Sequence, residues 1–310
     1  MKAPAFSYAR PKDLTEALRL LQTHGDEARL LAGGQTLLAT LNMRLSEPAL
    51  LIDMQRLAEL KGVSRNGDFL RIGAMVTHSE VEASALVAQH APLLRLAAPH
   101  IAHRAIRNLG TFGGSIAYGD PAAEWPACLL ALDGIVIARS LQGERRIPAS
   151  DFFTGLYTTE LATNEMVVAC EVPVASAAQL FFFDELARRH GDYAVVGLAV
   201  AARYESGVFD QVRIAWLGVT NMPWRSTQTE KILQGQHFSV ALLAQATQVL
   251  RAELQPEADL THSVAAKRHL AGVMLQRALK ALHAQSETAS GTDSADRPDS
   301  AQSASTKGHL

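Results

Sequence analysis

Two glycine pairs bring together the residue types on which chemistry could rest. The first is Ala32-Gly33-Gly34-Gln35-Thr36, flanked by Leu31 and Leu37; the second is Thr111-Phe112-Gly113-Gly114-Ser115. Each sets two glycines beside a hydroxyl or amide side chain. Glycine reaches positive φ and lets backbone N–H groups come close to a ligand. A run of such groups forms an anion nest, reinforced where a helix follows. Two nests could clamp both phosphates of a dinucleotide, although two tight turns would satisfy the same pattern. Other signatures are missing. The sequence has no G-x-G-x-x-G and no G-x-x-x-x-G-K-[ST], which excludes the Rossmann and P-loop sites. Gly113-Gly114-Ser115-Ile116-Ala117 approaches a nucleophile elbow but carries Ala where the last Gly belongs. His100 and His103 have the spacing of a metal pair. Arg104 and Arg107 surround them with positive charge, so these histidines, with His78, read as surface or hydrogen-bonding groups. Arg188-Arg189-His190 reads as a solvated face that could meet an anionic partner.

The elements that must position these residues follow from spacing. Asp13 stands three residues before Glu16, and Leu14, Ala17, Leu18 and Leu21 repeat at i, i+3, i+4 and i+7. That is a capped helix with one apolar face, closed by Gly25. The apolar run 29–32 reads as a strand that stops at Gly33-Gly34. A helix is predicted over 35–45, with Leu38, Leu41 and Leu45 on one side. Further strands are predicted over 49–54, 69–76, 135–137, 167–174 and 211–219. Thr77 or Ser79 caps a helix to about residue 89, Pro92 opens another, and two more lie over 240–254 and 263–283. The stretch 101–120 reads as a long ordered loop, and 192–204 fits helix or strand equally. The class is α+β with two lobes that divide near residue 175.

The chain has 310 residues, 29 Lys+Arg against 31 Asp+Glu, and two cysteines, Cys128 and Cys170. The absence of a basic excess excludes nucleic acid as a partner. No apolar run approaches the ~20 residues that span a bilayer. The first residues lack the apolar core of a signal peptide, so a cytoplasmic protein is expected. Two cysteines cannot hold an iron–sulfur cluster or a structural zinc. From 287 to 310 the chain is Ser, Ala, Thr, Asp and Gly without an aromatic residue, and a disordered tail is expected there.

Several stretches, taken in order, make a resemblance. They are Leu30-Leu31-Ala32-Gly33-Gly34-Gln35-Thr36-Leu37, Leu51-Ile52-Asp53, Ile72-Gly73-Ala74 and Arg107-Asn108-Leu109-Gly110-Thr111-Phe112-Gly113-Gly114-Ser115. Asp120-Pro121-Ala122-Ala123-Glu124, Ala187-Arg188-Arg189, Gly191-Asp192-Tyr193-Ala194 and Arg268-His269-Leu270-Ala271-Gly272 follow. The chain resembles, over about residues 1–285, the FAD-binding medium subunit of bacterial molybdenum hydroxylases. That group includes the flavoproteins of aerobic carbon monoxide dehydrogenase and of nicotine, caffeine and xanthine dehydrogenases. The resemblance implies an FAD-binding lobe of the vanillyl-alcohol-oxidase (PCMH) type over 1–175, in two subdomains split near 57. A smaller C-terminal α+β lobe over 176–286 follows. It implies that residues 31–37 and 111–115 hold the FAD pyrophosphate through backbone N–H groups. Glu124 matches a position, usually Asp, that contacts the adenosine half; Val168 matches an apolar position near the cofactor. Tyr193 lies where some members set an aromatic ring beside the isoalloxazine.

Three departures stand out. Phe112 replaces the usual Ile or Val and is expected to crowd its loop. Asp184 stands where animal xanthine dehydrogenases carry a flavin-contacting Lys, so NAD is not implied as acceptor. Neither glycine loop holds a His or Cys, which implies a non-covalent flavin. By resemblance, a small subunit carries two 2Fe-2S clusters and a large one the molybdenum cofactor, in a dimer of heterotrimers. The substrate expected is an N-heterocycle rather than carbon monoxide or an aldehyde. Two alternatives remain open: a self-contained flavoenzyme of the same fold, and an assembly subunit whose glycine pairs are only turns.

Overall fold

The structure is a computed structural model that describes residues 2–205 and 207–293. The helix Leu14–His24 begins as its spacing predicts. The Asp13 carboxylate accepts from the Glu16 N–H at 2.8 Å, Gly25 closes it at φ +48°, and Leu14, Ala17, Leu18 and Leu21 are its buried face. It covers a three-stranded parallel sheet in which Leu50–Asp53 lies between Ser7–Ala9 and Ala28–Leu31. The helix after the first glycine pair is shorter than its apolar pattern predicts. It spans Leu37–Asn42 and buries Leu41, while Leu38 and Leu45 are exposed.

A second sheet is antiparallel, in the order Val63–Asn66, Phe69–Gly73, Met166–Pro173, Ile135–Ser140, Gly143–Pro148. Short helices connect its second and fourth strands. The Thr77 capping box opens the first of them, His78–Ala83. Ser84 ends that helix and caps the next, Ala85–His90, so the single predicted helix is two. The region 101–120 is not a loop. It holds Arg104–Arg107 and Phe112–Tyr118, the latter closed by Gly119 in the left-handed region. Its Gly and Ser content hid the helical period, because a helix seated tightly on a sheet needs small residues where the backbones approach.

The third sheet, also antiparallel, runs Gln179–Leu186, Val196–Glu205, Val208–Leu217, Trp224–Arg225. One face, with Phe181, Phe183, Ala199, Ala201 and Ala215, joins the core that the second sheet and its helices build. The other face, with Leu198, Val200 and Trp216, packs against the helices Val240–Glu253 and Val264–Asp293. Burial on both faces explains why 192–204 had no legible period. A strand covered on both sides is apolar throughout and cannot be told from a buried helix by pattern. The last helix runs through residue 293, past the expected start of a tail at 287; the rest of that tail lies outside the described residues.

Candidate functional site: two glycine loops and a carboxyl cluster

The first glycine loop leaves the strand Ala28–Leu31 and turns through Gly34 at φ +71°. Leu31 and Leu37 lie half-buried at its two ends and Gln35 is exposed. Thr36 precedes the helix Leu37–Asn42 without a side-chain cap bond. The Gln35 amide turns back to donate to the Gly33 carbonyl at 3.1 Å. Among the described residues, the N–H groups from Gly33 to Leu37 meet no protein acceptor. Unpaired N–H groups in succession are what an anion nest requires.

The second loop differs from the expectation. The Phe112 N–H donates to the Val76 carbonyl at 2.8 Å and the Gly113 N–H to the Ala74 carbonyl at 3.0 Å. The Gly114 N–H donates to Thr111 Oγ1 at 3.1 Å, and the Ser115 N–H to the Thr111 carbonyl at 3.1 Å. These four donors are committed inside the protein: two bond to the chain leaving the strand Phe69–Gly73, on which the helix docks, and two to Thr111 at the start of the same helix. The second glycine pair thus serves close packing. A Cβ on Gly113 would collide with Ala74, 2.6 Å from its Cα. The two loops also seat on each other. A Cβ on Gly33 would collide with the Leu109 carbonyl oxygen and lie 2.8 Å from Gly110 Cα, and one on Gly114 would lie 3.6 Å from Ala32 Cβ. Thr111 is the N-cap of this helix. Thr111→Val should lower stability by about 1 kcal/mol, measured by denaturant unfolding; an unchanged midpoint would show the cap to be idle.

Phe112 does not crowd its loop. Its ring is fully buried and lies 5.1 Å from that of Trp125, tilted by 36°. The Trp125 indole N–H donates to His78 Nδ1 at 3.0 Å. Burial, and then the Arg107 charge, lower the His78 pKa to about 4, so the imidazole is neutral.

Val168 sits at a bulge in the strand Met166–Pro173. Its side chain is buried in the core with Leu50, Ile52 and Met75, and its carbonyl accepts from the Ala74 N–H at 3.0 Å. It therefore supports the residue on which Gly113 packs. Glu124 is the first residue of the helix Glu124–Ala131, next to Trp125. Burial, then Glu185 and Asp120, push its carboxyl up to about 8. Tyr193 is 69% exposed in the turn before Val196–Glu205, with its hydroxyl facing the buried Asp120.

Asp184, expected at a flavin-contacting position, lies on the face of its strand turned to the C-terminal helices. On the strand Gln179–Leu186, Phe181 and Phe183 face the first lobe, while Leu180, Phe182 and Leu186 face the C-terminal helices. Asp184 belongs to the second set and lies 3.9 Å from Arg277 of the helix Val264–Asp293. The carboxyl that faces the first lobe is Glu185, with its side chain 5% exposed and Oε1 3.8 Å from His100 Nδ1. Glu185 Oε2 is buried without a hydrogen-bond partner among the described residues. Sequence reasoning missed Glu185 and the contact with His100, though the period of two across 179–186 would have put Glu185 on the Phe181–Phe183 face.

Residues 4–175 match the FAD binding domain in molybdopterin dehydrogenase, and residues 181–282 match the CO dehydrogenase flavoprotein C-terminal domain. The chain is 38% identical to the 6-hydroxypseudooxynicotine dehydrogenase complex subunit alpha of Paenarthrobacter nicotinovorans, over 94% of this chain and 100% of that one. It is 39% identical to the nicotine 6-hydroxylase medium subunit of the same organism, over 87% and 94%. A solved carbon monoxide dehydrogenase from Hydrogenophaga pseudoflava superposes with a TM-score of 0.89 at 37% identity, over 92% of this chain and 99% of that one.

The chain is an FAD-binding medium subunit of the molybdenum hydroxylases.

The medium subunit's own groups fit that cofactor. The acceptor-free N–H run of Gly33–Leu37 suits a diphosphate, and the glycines leave no Cβ between the loops. Cys128 and Cys170 are both buried, and burial pushes both thiols up. Neither presents a reactive thiolate. No helix among the described residues is long and apolar enough to cross a membrane.

Proposed function

We propose that this medium subunit is the electron-transfer station of a heterotrimeric molybdenum hydroxylase, lying between the 2Fe-2S clusters of a small subunit and an external acceptor. Bound FAD supplies the exchange between one- and two-electron chemistry. The chain's own residues bind and orient it. The N–H groups of 33–37 receive the pyrophosphate, and Leu31, Ala32 and Leu37 frame them. Thr111, Phe112, Gly113, Gly114 and Ser115 form the wall against which that loop is held, and Val168 backs the wall. Glu124 meets the adenosine half, and Tyr193 lies beside the isoalloxazine.

One observation carries this reading: a run of unpaired N–H groups locked by a glycine contact against a second, fully bonded loop. The large subunit would hold the molybdenum cofactor and hydroxylate an N-heterocycle, with the complex a cytoplasmic dimer of heterotrimers. The named activities of two relatives, on nicotine and 6-hydroxypseudooxynicotine, support that substrate class.

The test is affinity purification of the tagged chain from its own host. About one FAD per chain should appear, with iron and molybdenum in two further polypeptides. Flavin without either metal under gentle conditions would sink the heterotrimer. Turnover of an organic substrate by the isolated chain would replace it with a self-contained flavoenzyme.

A further inference from the structure

Gly218 follows the strand Val208–Leu217 at φ +76° and meets three parts of the molecule at once. Its N–H crosses to the first lobe and donates to the Pro121 carbonyl at 2.9 Å. Its carbonyl accepts from Lys267 Nζ, on the helix Val264–Asp293, at 3.0 Å. Its missing side chain makes room for the turn that carries Tyr193. A Cβ on Gly218 would lie 2.5 Å from the Ala194 carbonyl oxygen and 3.1 Å from that of Val195.

Lys267 is buried, at 6% exposure. A buried ammonium must be paired and hydrogen-bonded. Asp259 Oδ2 pairs with Nζ at 3.0 Å, and the Gly218 carbonyl takes a second proton. Asp259 is itself held, since Oδ1 accepts from the N–H groups of Thr261 and His262 at 2.7 and 2.8 Å. The Glu257 N–H donates to the Val219 carbonyl at 3.0 Å. The segment 257–267 thus grips two successive carbonyls of the loop that begins at Gly218. On the other side Pro121 is fixed as well. The Asp120 carboxylate accepts from the Ala122 N–H at 2.9 Å, and the Asp120 carbonyl from the Ala123 N–H at 3.1 Å. The Tyr193 hydroxyl faces that same carboxylate. Tyr193 therefore stands across one connection: the main chain beside it rests on Gly218, and its hydroxyl meets the residue before Pro121.

We propose that Lys267 is a positioning residue for the flavin site: through the Gly218 carbonyl it holds the Tyr193 turn against the first lobe and so sets the Tyr193 ring beside the isoalloxazine. A hydrogen bond from a charged donor is among the stronger ones a protein makes. Without the ammonium, the Gly218 loop keeps its bond to Pro121 and loses its tie to the last helix. The seated position of Tyr193 should then lose roughly tenfold against displaced ones.

The link from Tyr193 to the flavin rests on the FAD reading; the tie from Lys267 to Tyr193 does not. Two readouts on the full chain, in its complex, separate them. The first is the fluorescence per bound FAD, which an aromatic ring beside the isoalloxazine quenches. Tyr193→Ala should raise it, and Lys267→Met should raise it to nearly the same level. The double variant should go no higher than Tyr193→Ala alone. Wild-type fluorescence in Lys267→Met, or increases that add in the double variant, overturns the proposal. The second is amide hydrogen exchange read by mass spectrometry. In residues 187–195 the Asp192 and Val195 N–H groups are bonded at 3.1 and 2.7 Å. In Lys267→Met this segment should exchange roughly tenfold faster, while the helix Leu14–His24 keeps its rate. Equal exchange in 187–195, or acceleration through the whole chain, overturns the tie. If Lys267→Met fails to fold, Lys267→Gln, which keeps a polar side chain and loses the charge, is read for the same outcomes. Wild type without flavin, or Tyr193→Ala without a rise, would overturn the FAD reading instead. Hydrogen exchange then decides on Lys267 alone.

Discussion

Gly33→Val should strip the protein of flavin and destabilise it by about 3 kcal/mol. A Cβ at position 33 would collide with the Leu109 carbonyl oxygen, and it would lie 2.7 Å from Leu109 C and 2.8 Å from Gly110 Cα. All three are main-chain atoms, and no side-chain rotation relieves the contact. The two loops must separate, and the N–H run of 33–37 loses the wall that fixes it. Gly33→Ala should do nearly the same, since the first carbon already collides. Gly114→Ala is the contrast, because its Cβ would meet the Thr111 hydroxyl at 2.7 Å and Ala32 Cβ at an ordinary 3.6 Å. It should weaken the cap and leave part of the flavin in place. Flavin absorbance per chain and the thermal midpoint check both. Full occupancy in Gly33→Ala would show that the loops need not touch.

Trp125→Ala should cost about 3–5 kcal/mol. The indole is fully buried, packs against the Phe112 ring and donates to His78. With Nδ1 accepting, the proton sits on Nε2 of the neutral ring. A Cβ on Gly110 would lie 2.7 Å from that nitrogen. Removing the indole leaves a cavity under the second glycine loop and an imidazole without its donor. Trp125→Phe keeps most of the volume and should cost about 1–3 kcal/mol from the unpaired nitrogen alone.

His78 and Glu124 shift acid and alkaline stability in opposite senses. His78 is depressed from 6.5 to about 4, so the stability it contributes is present above pH 6.5 and is lost as pH falls toward 4. Glu124 is raised from 4.5 to about 8, so its contribution is present below 4.5 and is lost as pH rises toward 8. Denaturant midpoints in wild type and Glu124→Gln should differ in slope over that upper range. Parallel curves would show that the carboxyl does not titrate there.

Much of the fold was legible because it obeys local rules. The first helix follows from Asp13, the repeat of Leu14, Ala17, Leu18 and Leu21, and the stop at Gly25. Failures came where tertiary contact overrides pattern. Leu38 and Leu45 have the spacing of a buried face, yet of the three only Leu41 is buried. The Gly and Ser of 112–118 read as loop, yet they are the residues that let a helix press onto Ala74.

The site divides in the same way. The sequence by itself determined where a phosphate nest can form, since glycine takes the φ of +71° at Gly34 without strain and its missing Cβ lets the main chain of Gly33 reach Leu109. It also determined, by two cysteines, that an iron–sulfur cluster could not be held by this chain's thiolates alone. The tertiary structure decided which nest keeps its donors free. Ala74 and Val76 lie far from Phe112 and Gly113 in sequence, and only the docking of that helix supplies the carbonyls that take up their N–H groups. It decided too that Glu185 rather than Asp184 faces the first lobe. Alternation along a strand assigns residues to two faces, but which face is turned toward which lobe is settled by what packs against each side.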